Sequence, residues 1–196
     1  MIGHSLNFIA QELNKHICNT LKIHPSNQKV LLSSIIDPDG NMAVKESNVL
    51  LIKLINIEPD PIANGSQPTV HYPRGSDFVE SAPLYLNLQF LLAAYFKPEQ
   101  IKTGLDMLTV GIAFLQGKSL WNSQNTPELP EGLERLVFEM GTLDLHQLNH
   151  VWGAIGAKYM PSVIYKMKML VIDDHVFQGL IPSISTIATS VEKSES

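Results

Sequence analysis

His146 and His150 stand four residues apart in "LDLHQLNHVW", with Asp144 close by. On a helix that spacing lets two imidazoles share a metal ion. A zinc-protease helix also carries a glutamate directly after its first histidine, and here that position is Gln147. Solvated or interfacial histidines are therefore the plainer reading. Asp37, Asp39 and Asn41 around Gly40 have the alternating oxygens of a calcium loop. The glycine falls two residues early for one, which leaves a β-turn. Asp173, Asp174 and His175 could perform acid–base work, but turn residues at a strand end read the same way.

No nucleophile elbow, phosphate-cradling glycine loop or dinucleotide fingerprint is present. Gly153 and Gly156, in "WGAIGAK", lack the preceding strand of such a fingerprint and read instead as sites of close backbone packing. Trp152, Tyr159 and Tyr165 could anchor a partner, because large amphipathic aromatics dominate interface energetics; ordinary core residues are the alternative. Side-chain chemistry alone thus predicts no catalytic, metal or cofactor site, and stops at a soluble α/β domain with an interaction role.

Periodicity names the elements that would position these residues. Ile2, Leu6, Ile9, Leu13, Ile17 and Leu21 step by three or four along an amphipathic helix that ends before His24 and Pro25. "KVLLSSII" (29–36) and "MAVKE" read as two hairpin strands joined by "DPDGN". "VLLIKLINI" (49–57) is apolar on both alternating faces, as in a central strand covered on both sides. Residues 58–76, with four prolines and two glycines, read as an extended loop or arm. "LYLNLQFLLAAYF" (84–96) has the period of a long strand, with helix as the competing reading.

Pro98 suits a first helical turn, and Ile101, Leu105, Leu108, Ile112 and Leu115 then form a helical stripe that Gly117 stops. This helix is expected to cover the sheet. Residues 121–132 read as a turn-rich connection. In "LERLVFEMGTL", Leu136, Phe138 and Met140 alternate against Arg135, Val137 and Glu139, which predicts a strand. A helix beginning near Asp144 should follow. The last strand is "SVIYKMKMLVI", with Val163, Tyr165, Met167, Met169 and Val171 on one face and Lys166 and Lys168 on the other. The elements predict an α/β (α+β) domain over residues 1–181, a mixed, mainly antiparallel sheet packed by helices. Residues 182–196, rich in Ser and Thr, read as a flexible tail.

Composition bounds the function. The chain has 196 residues, long enough for one substantial core. Hydrophobic residues make up 44% and charged residues 17%, few charges for a wholly free surface, so partners are expected to share it. A net charge of −5 with scattered Lys and Arg gives no field to gather phosphates, which argues against nucleic acid. One cysteine, Cys18, rules out an internal disulfide. The first residues lack the features of a cleaved leader, and nowhere do about eighteen apolar residues run together, so no membrane insertion and assembly in the cytoplasm are expected.

The stretch "LVFEMGTLDLHQLNHVWGAIGAKYMPSVIYKMKMLVI" (136–172) resembles the signature of the tail-cap, or tail-terminator, proteins of extracellular contractile injection systems of the antifeeding-prophage type. The resemblance extends to "SLNFIAQELNKHI", "VLLSSIIDPDGNMAVKESNVLLIKLINIEPD" and "APLYLNLQFLLAAYF", covering most of residues 1–175. The 58–76 loop and the tail match less well, and the additional C-terminal domains that some family members carry are not expected from these residues. The resemblance implies a structural protein without cofactors, not an enzyme. It would cap the baseplate-distal end of a phage-tail-like particle as a six-membered ring on the inner-tube and sheath proteins. An adaptor joining the particle to a membrane or other cell structure is the alternative. Within the motif, Asn149, Trp152, Gly153, Gly156, Lys158, Tyr159, Pro161 and Tyr165 are the candidate interface residues, at a helix-to-strand corner that would shape the domain and the ring contact.

Overall fold

The computed structural model describes residues 2–24, 26–61, 70–71, 78–79 and 84–171. Asp173, Asp174 and His175, the 182–196 tail and most of the 58–76 loop lie outside the described residues.

Helix α1 (Ile2–Leu21) turns Leu6, Ile9, Leu13 and Ile17 into the core, as the stripe requires. It ends where Lys22 enters the left-handed region at φ 55° and the Ile23 N–H bonds back to the Cys18 carbonyl. Strand β1 (Val30–Leu32) pairs in parallel with β2 (Val49–Pro59). The expected hairpin between them is not formed as two strands. It shrinks to one bridge, Ile36 to Met42, closed by a turn in which the Asp37 carboxylate accepts the backbone N–H groups of Asp39 and Asn41. Those two bonds hold a local Asx turn, so the Asp37 carboxylate is spent on the backbone, and the strand pairing goes to β2 instead.

Within the 58–76 stretch, β2 runs on through Pro59, and the short strand β3 (Val70–His71) pairs with β4 (Phe78–Val79). Strand β5 (Leu84–Tyr95) is antiparallel to β2, so the strand reading of this segment prevails over helix. A 3-10 turn over Pro98–Gln100 leads into α2 (Ile101–Gly117). Then come β6 (Leu120–Asn122), β7 (Leu133–Gly141), α3 (Leu145–Ile155) and β8 (Ser162–Val171). The six-stranded sheet has the order β1-β2-β5-β8-β7-β6, antiparallel except at β1 and β2. The expected mixed, mainly antiparallel sheet packed by helices is present.

Helices α1 and α2 cover one face, over Leu50, Ile52, Leu88, Phe90, Leu92, Tyr165 and Met167. Trp121, placed by the sequence reading in a loop, lies wholly in this core. Phe8, Phe114 and Phe138 meet it edge-on at 5.6–5.8 Å, and its indole N–H donates to the Lys118 carbonyl. Each such aromatic contact adds about 0.5–1.5 kcal/mol to the burial itself. The stripe on α2 is rotated from its expected phase. Gly104, Met107, Leu108, Gly111 and Leu115 face inward, while Ile101 and Leu105 are more than 40% exposed. Both glycines let the helix approach: a Cβ on Gly111 would stand 3.3 Å from Leu92, and one on Gly104 2.7 Å from the Phe96 ring.

The other face is covered over part of its extent. Leu51, Leu91 and Ala93 are buried under Trp152 of α3 and under Ile35 and Val44 of the β1–β2 connection. β2 is enclosed on both sides only over Val49–Ile52, and beyond that it emerges. Met140 belongs to the inward-facing set of β7 by register, yet at the strand's end it is 46% exposed.

Candidate functional site

The helix-to-strand corner begins at Asp144, the N-cap of α3. Its carboxylate accepts from the Gln147 N–H at 2.7 Å, and the Gln147 side chain accepts the Asp144 N–H at 3.1 Å, a reciprocal capping box. The helix ends at Gly156, whose φ of 76° is the left-handed conformation that glycine adopts without strain. Close packing, expected for both glycines, is not their reason, because a Cβ on Gly153 or Gly156 would meet nothing within 4 Å.

The eight candidate residues separate into two sets. Trp152 and Tyr165 are buried, on opposite faces of the sheet. Trp152 seals α3 against Leu51 and Leu91, and Tyr165 stacks on Phe90 at 5.6 Å. Burial pushes the Tyr165 phenol above its ordinary pKa. Neither the Tyr165 hydroxyl nor the Trp152 indole N–H finds a hydrogen-bond partner among the described residues. These two aromatics cannot touch a partner without unfolding the domain. Asn149, Gly153, Gly156, Lys158 and Tyr159 are exposed and Pro161 is partly so, with Tyr159 at 61%.

Tyr159 leans edge-on against Trp152 at 5.7 Å, so a buried ring supports an exposed one. Beyond it, Lys158, Tyr159, Met160 and Pro161 form one wall of an open groove of about 430 Å³. Tyr95, Phe96, Pro98 and Ile101 form the other. Two clamps fix the walls. The Ala94 N–H donates to the Pro161 carbonyl at 2.8 Å, carrying the β5–β8 pairing one step past Ser162. Asn48, itself left-handed at φ 69°, donates its N–H to the Tyr95 carbonyl and accepts the Lys97 N–H on its side chain. Phe96 was not singled out in the sequence, and Ile101 was read there as part of the stripe facing the sheet; the signal for Phe96 is the aromatic pair "YF" leaving a strand just before "KP".

The part of the sheet's second face that none of the described helices covers is polar. Lys168 pairs with Glu139 at 2.7 Å across β8 and β7, and the Gln89 amide donates to Glu58 across β5 and β2. His146 and His150 lie on the exposed side of α3 with their rings edge-to-face at 4.4 Å. Among the described residues no group of three or more His, Cys, Asp or Glu converges to hold a metal, and no helix is long and apolar enough to cross a membrane. The arrangement offers shape, apolar area and a few ion pairs, which are means of binding.

No protein of curated function is detectably similar in sequence. Solved structures share the fold. One is the sheath/tube terminator of PVC, an extracellular contractile injection system, in its extended state (TM-score 0.53, 15% identity, over 94% of this chain and 64% of that one). Another is the tube terminating cap of the anti-feeding prophage (TM-score 0.55, 11% identity, over 97% of this chain and 60% of that one). The present chain thus spans about three-fifths of their length. The model of the Pvc16 N-terminal domain family matches residues 6–184, and the chain belongs to that family.

Proposed function

We propose that the protein is a cap that ends the baseplate-distal tip of a phage-tail-like contractile injection particle, seated on the last ring of inner-tube protein and contacting the terminal sheath ring. The observation that carries this reading is the family match over residues 6–184, joined to a fold shared with a tube terminating cap and a sheath/tube terminator. Six copies close into a ring. Head-to-tail closure needs two different complementary surfaces on each subunit, and a third faces the tube. The apolar groove beside Tyr159 and the polar sheet face around Glu139 and Lys168 are chemically distinct surfaces that suit such a division.

In this reading binding energy takes the place of catalysis. The ring occupies the growing end and removes the surface on which another tube ring would add, so length becomes fixed. Assembly takes place in the cytoplasm of the producer, without membrane insertion. The test is electron microscopy of particles from otherwise identical producers with and without the gene, scoring tube and sheath lengths and the density at the end. Irregular lengths without end density are expected; particles of unchanged, uniform length would sink the proposal.

A further inference from the structure

Strand β1 is an edge of the sheet, and the backbone groups on its outer side point into a second groove. The Lys29 carbonyl and the Ser33 N–H bond to β2, at Leu50 and Ile52. By the two-residue period of a strand, Val30 and Leu32 therefore turn their backbone groups away from β2. Asn14 of α1 accepts the Val30 N–H at 3.2 Å, as well as that of Lys29 at 2.6 Å. The Val30 carbonyl and both backbone groups of Leu32 take no hydrogen bond from any described residue outside the ladder. Val30 and Leu32 line a groove of about 320 Å³ whose other wall is the polar side of α1, chiefly Asn7, Gln11 and Asn14. Its one charged side chain, Lys15, is already held by Glu12 at 2.6 Å and Glu128 at 3.6 Å.

An edge that no described residue pairs, beside uncharged amides, is a template for an extended, uncharged polypeptide segment. The chain contains such a segment, "SISTIATSV" (183–191), with Ile184, Thr186, Ile187, Thr189 and Val191 β-branched and no charge or proline. We infer that residues 183–191 of a second copy add as a strand to the outer edge of β1.

Reach favours a second copy over the same one. Val171 lies at the end of β8 that pairs with Leu84, whereas Leu32 stands, through Ile52 and Leu92, level with Val163. Eight residues of strand and three strand spacings separate the two points by roughly 30 Å in a straight line through the sheet. The twelve steps to Ser183 extend to roughly 40 Å at most. That leaves roughly 10 Å of slack for a path that must run over the sheet rather than through it. A neighbouring copy carries no such constraint.

The full chain tests this. A chain carrying Gln28→Cys in the groove wall is mixed with one carrying Ile187→Cys, and with a synthetic peptide of residues 182–196 carrying the same cysteine, under mild oxidation. Disulfide-linked heterodimers and peptide capture are expected. Both should fall at least tenfold when Leu32→Pro is added to the Gln28→Cys chain, since that change removes an outward donor while sparing the bonds to β2. Leu32→Lys with an unchanged circular dichroism spectrum serves the same end should the proline variant not fold. Closure only within a chain carrying both cysteines would assign the edge to the chain's own segment and overturn the inference. Absence of every cross-link would overturn it as well, whatever the outcome of the particle-length experiment.

Discussion

Of the aromatics that attract attention in the corner motif, two are structural and one is available. Trp152 and Tyr165 are of the same residue types as surface anchors, and composition cannot tell them apart from Tyr159. Register does: Tyr165 shares a face with Met167 and Met169 over the helices, and Trp152 points from α3 onto Leu91. Tyr165 retains a hydroxyl without a partner among the described residues, and an unpaired buried polar group costs about 1–3 kcal/mol. Tyr165→Phe keeps the ring on Phe90 and should leave stability at neutral pH unchanged or raise it by about 1 kcal/mol. The pH dependence follows from the raised phenol pKa. Below the unfolded value of about 10 the group is neutral in both states. As pH rises above that, the unfolded chain loses the proton first, so stability falls until the folded pKa is passed. Urea unfolding from pH 7 to 11 should therefore show a shallower alkaline decline for Tyr165→Phe than for the parent; parallel curves would mean the phenol is not desolvated.

Elements with strong, uninterrupted periodicity were legible in the sequence: α1, β5, β7 and β8 stand where alternation and helical spacing put them. The errors have specific physical causes. In α2 the largest apolar residues suggested the stripe, but the inward face is set by where the helix can approach the sheet, and that is at Gly104 and Gly111. Counting only large side chains hid that signal. The 29–46 hairpin failed because β1 gains more by joining a long buried strand than by pairing with a short segment of which only Val44 is buried. The α2 contact makes a prediction. Gly104→Ala improves helix propensity by about 1 kcal/mol, yet its Cβ would lie 2.7 Å from the Phe96 ring and 3.3 Å from the Phe96 Cβ, a part of the side chain that cannot rotate away. Overpacking of this kind costs about 1–3 kcal/mol, so a net loss near 1 kcal/mol is expected in thermal unfolding. A more stable variant would show that Phe96 moves freely.

For the whole molecule the decisive question is whether the exposed groove belongs to the particle or to the fold. The groove's first wall, at the corner after α3, falls within the motif; its second wall does not, because Tyr95, Phe96 and Ile101 lie 57 or more residues before Lys158 and meet it through the clamps at Ala94 and Asn48. Groove and core respond oppositely to substitution, which separates the two possibilities. Trp152→Ala removes a buried indole and should cost about 3–5 kcal/mol, so its failure to cap would report misfolding alone. Tyr159→Asp combined with Ile101→Asp alters side chains that are 61% and 41% exposed; losing the edge contact on Trp152 costs about 0.5–1.5 kcal/mol and the Ile101 change about 0.5 kcal/mol or less, well short of the core substitution. If the groove contacts a neighbouring copy, the tube or the sheath, this folded variant should compete poorly with the parent for particle ends, and tubes made with it alone should be irregular in length. Circular dichroism and melting temperature establish that it is folded; electron microscopy reads the lengths. A folded double variant that still yields particles of parental length would move the contact surface to the polar sheet face around Glu139 and Lys168, where reversing both charges becomes the equivalent experiment.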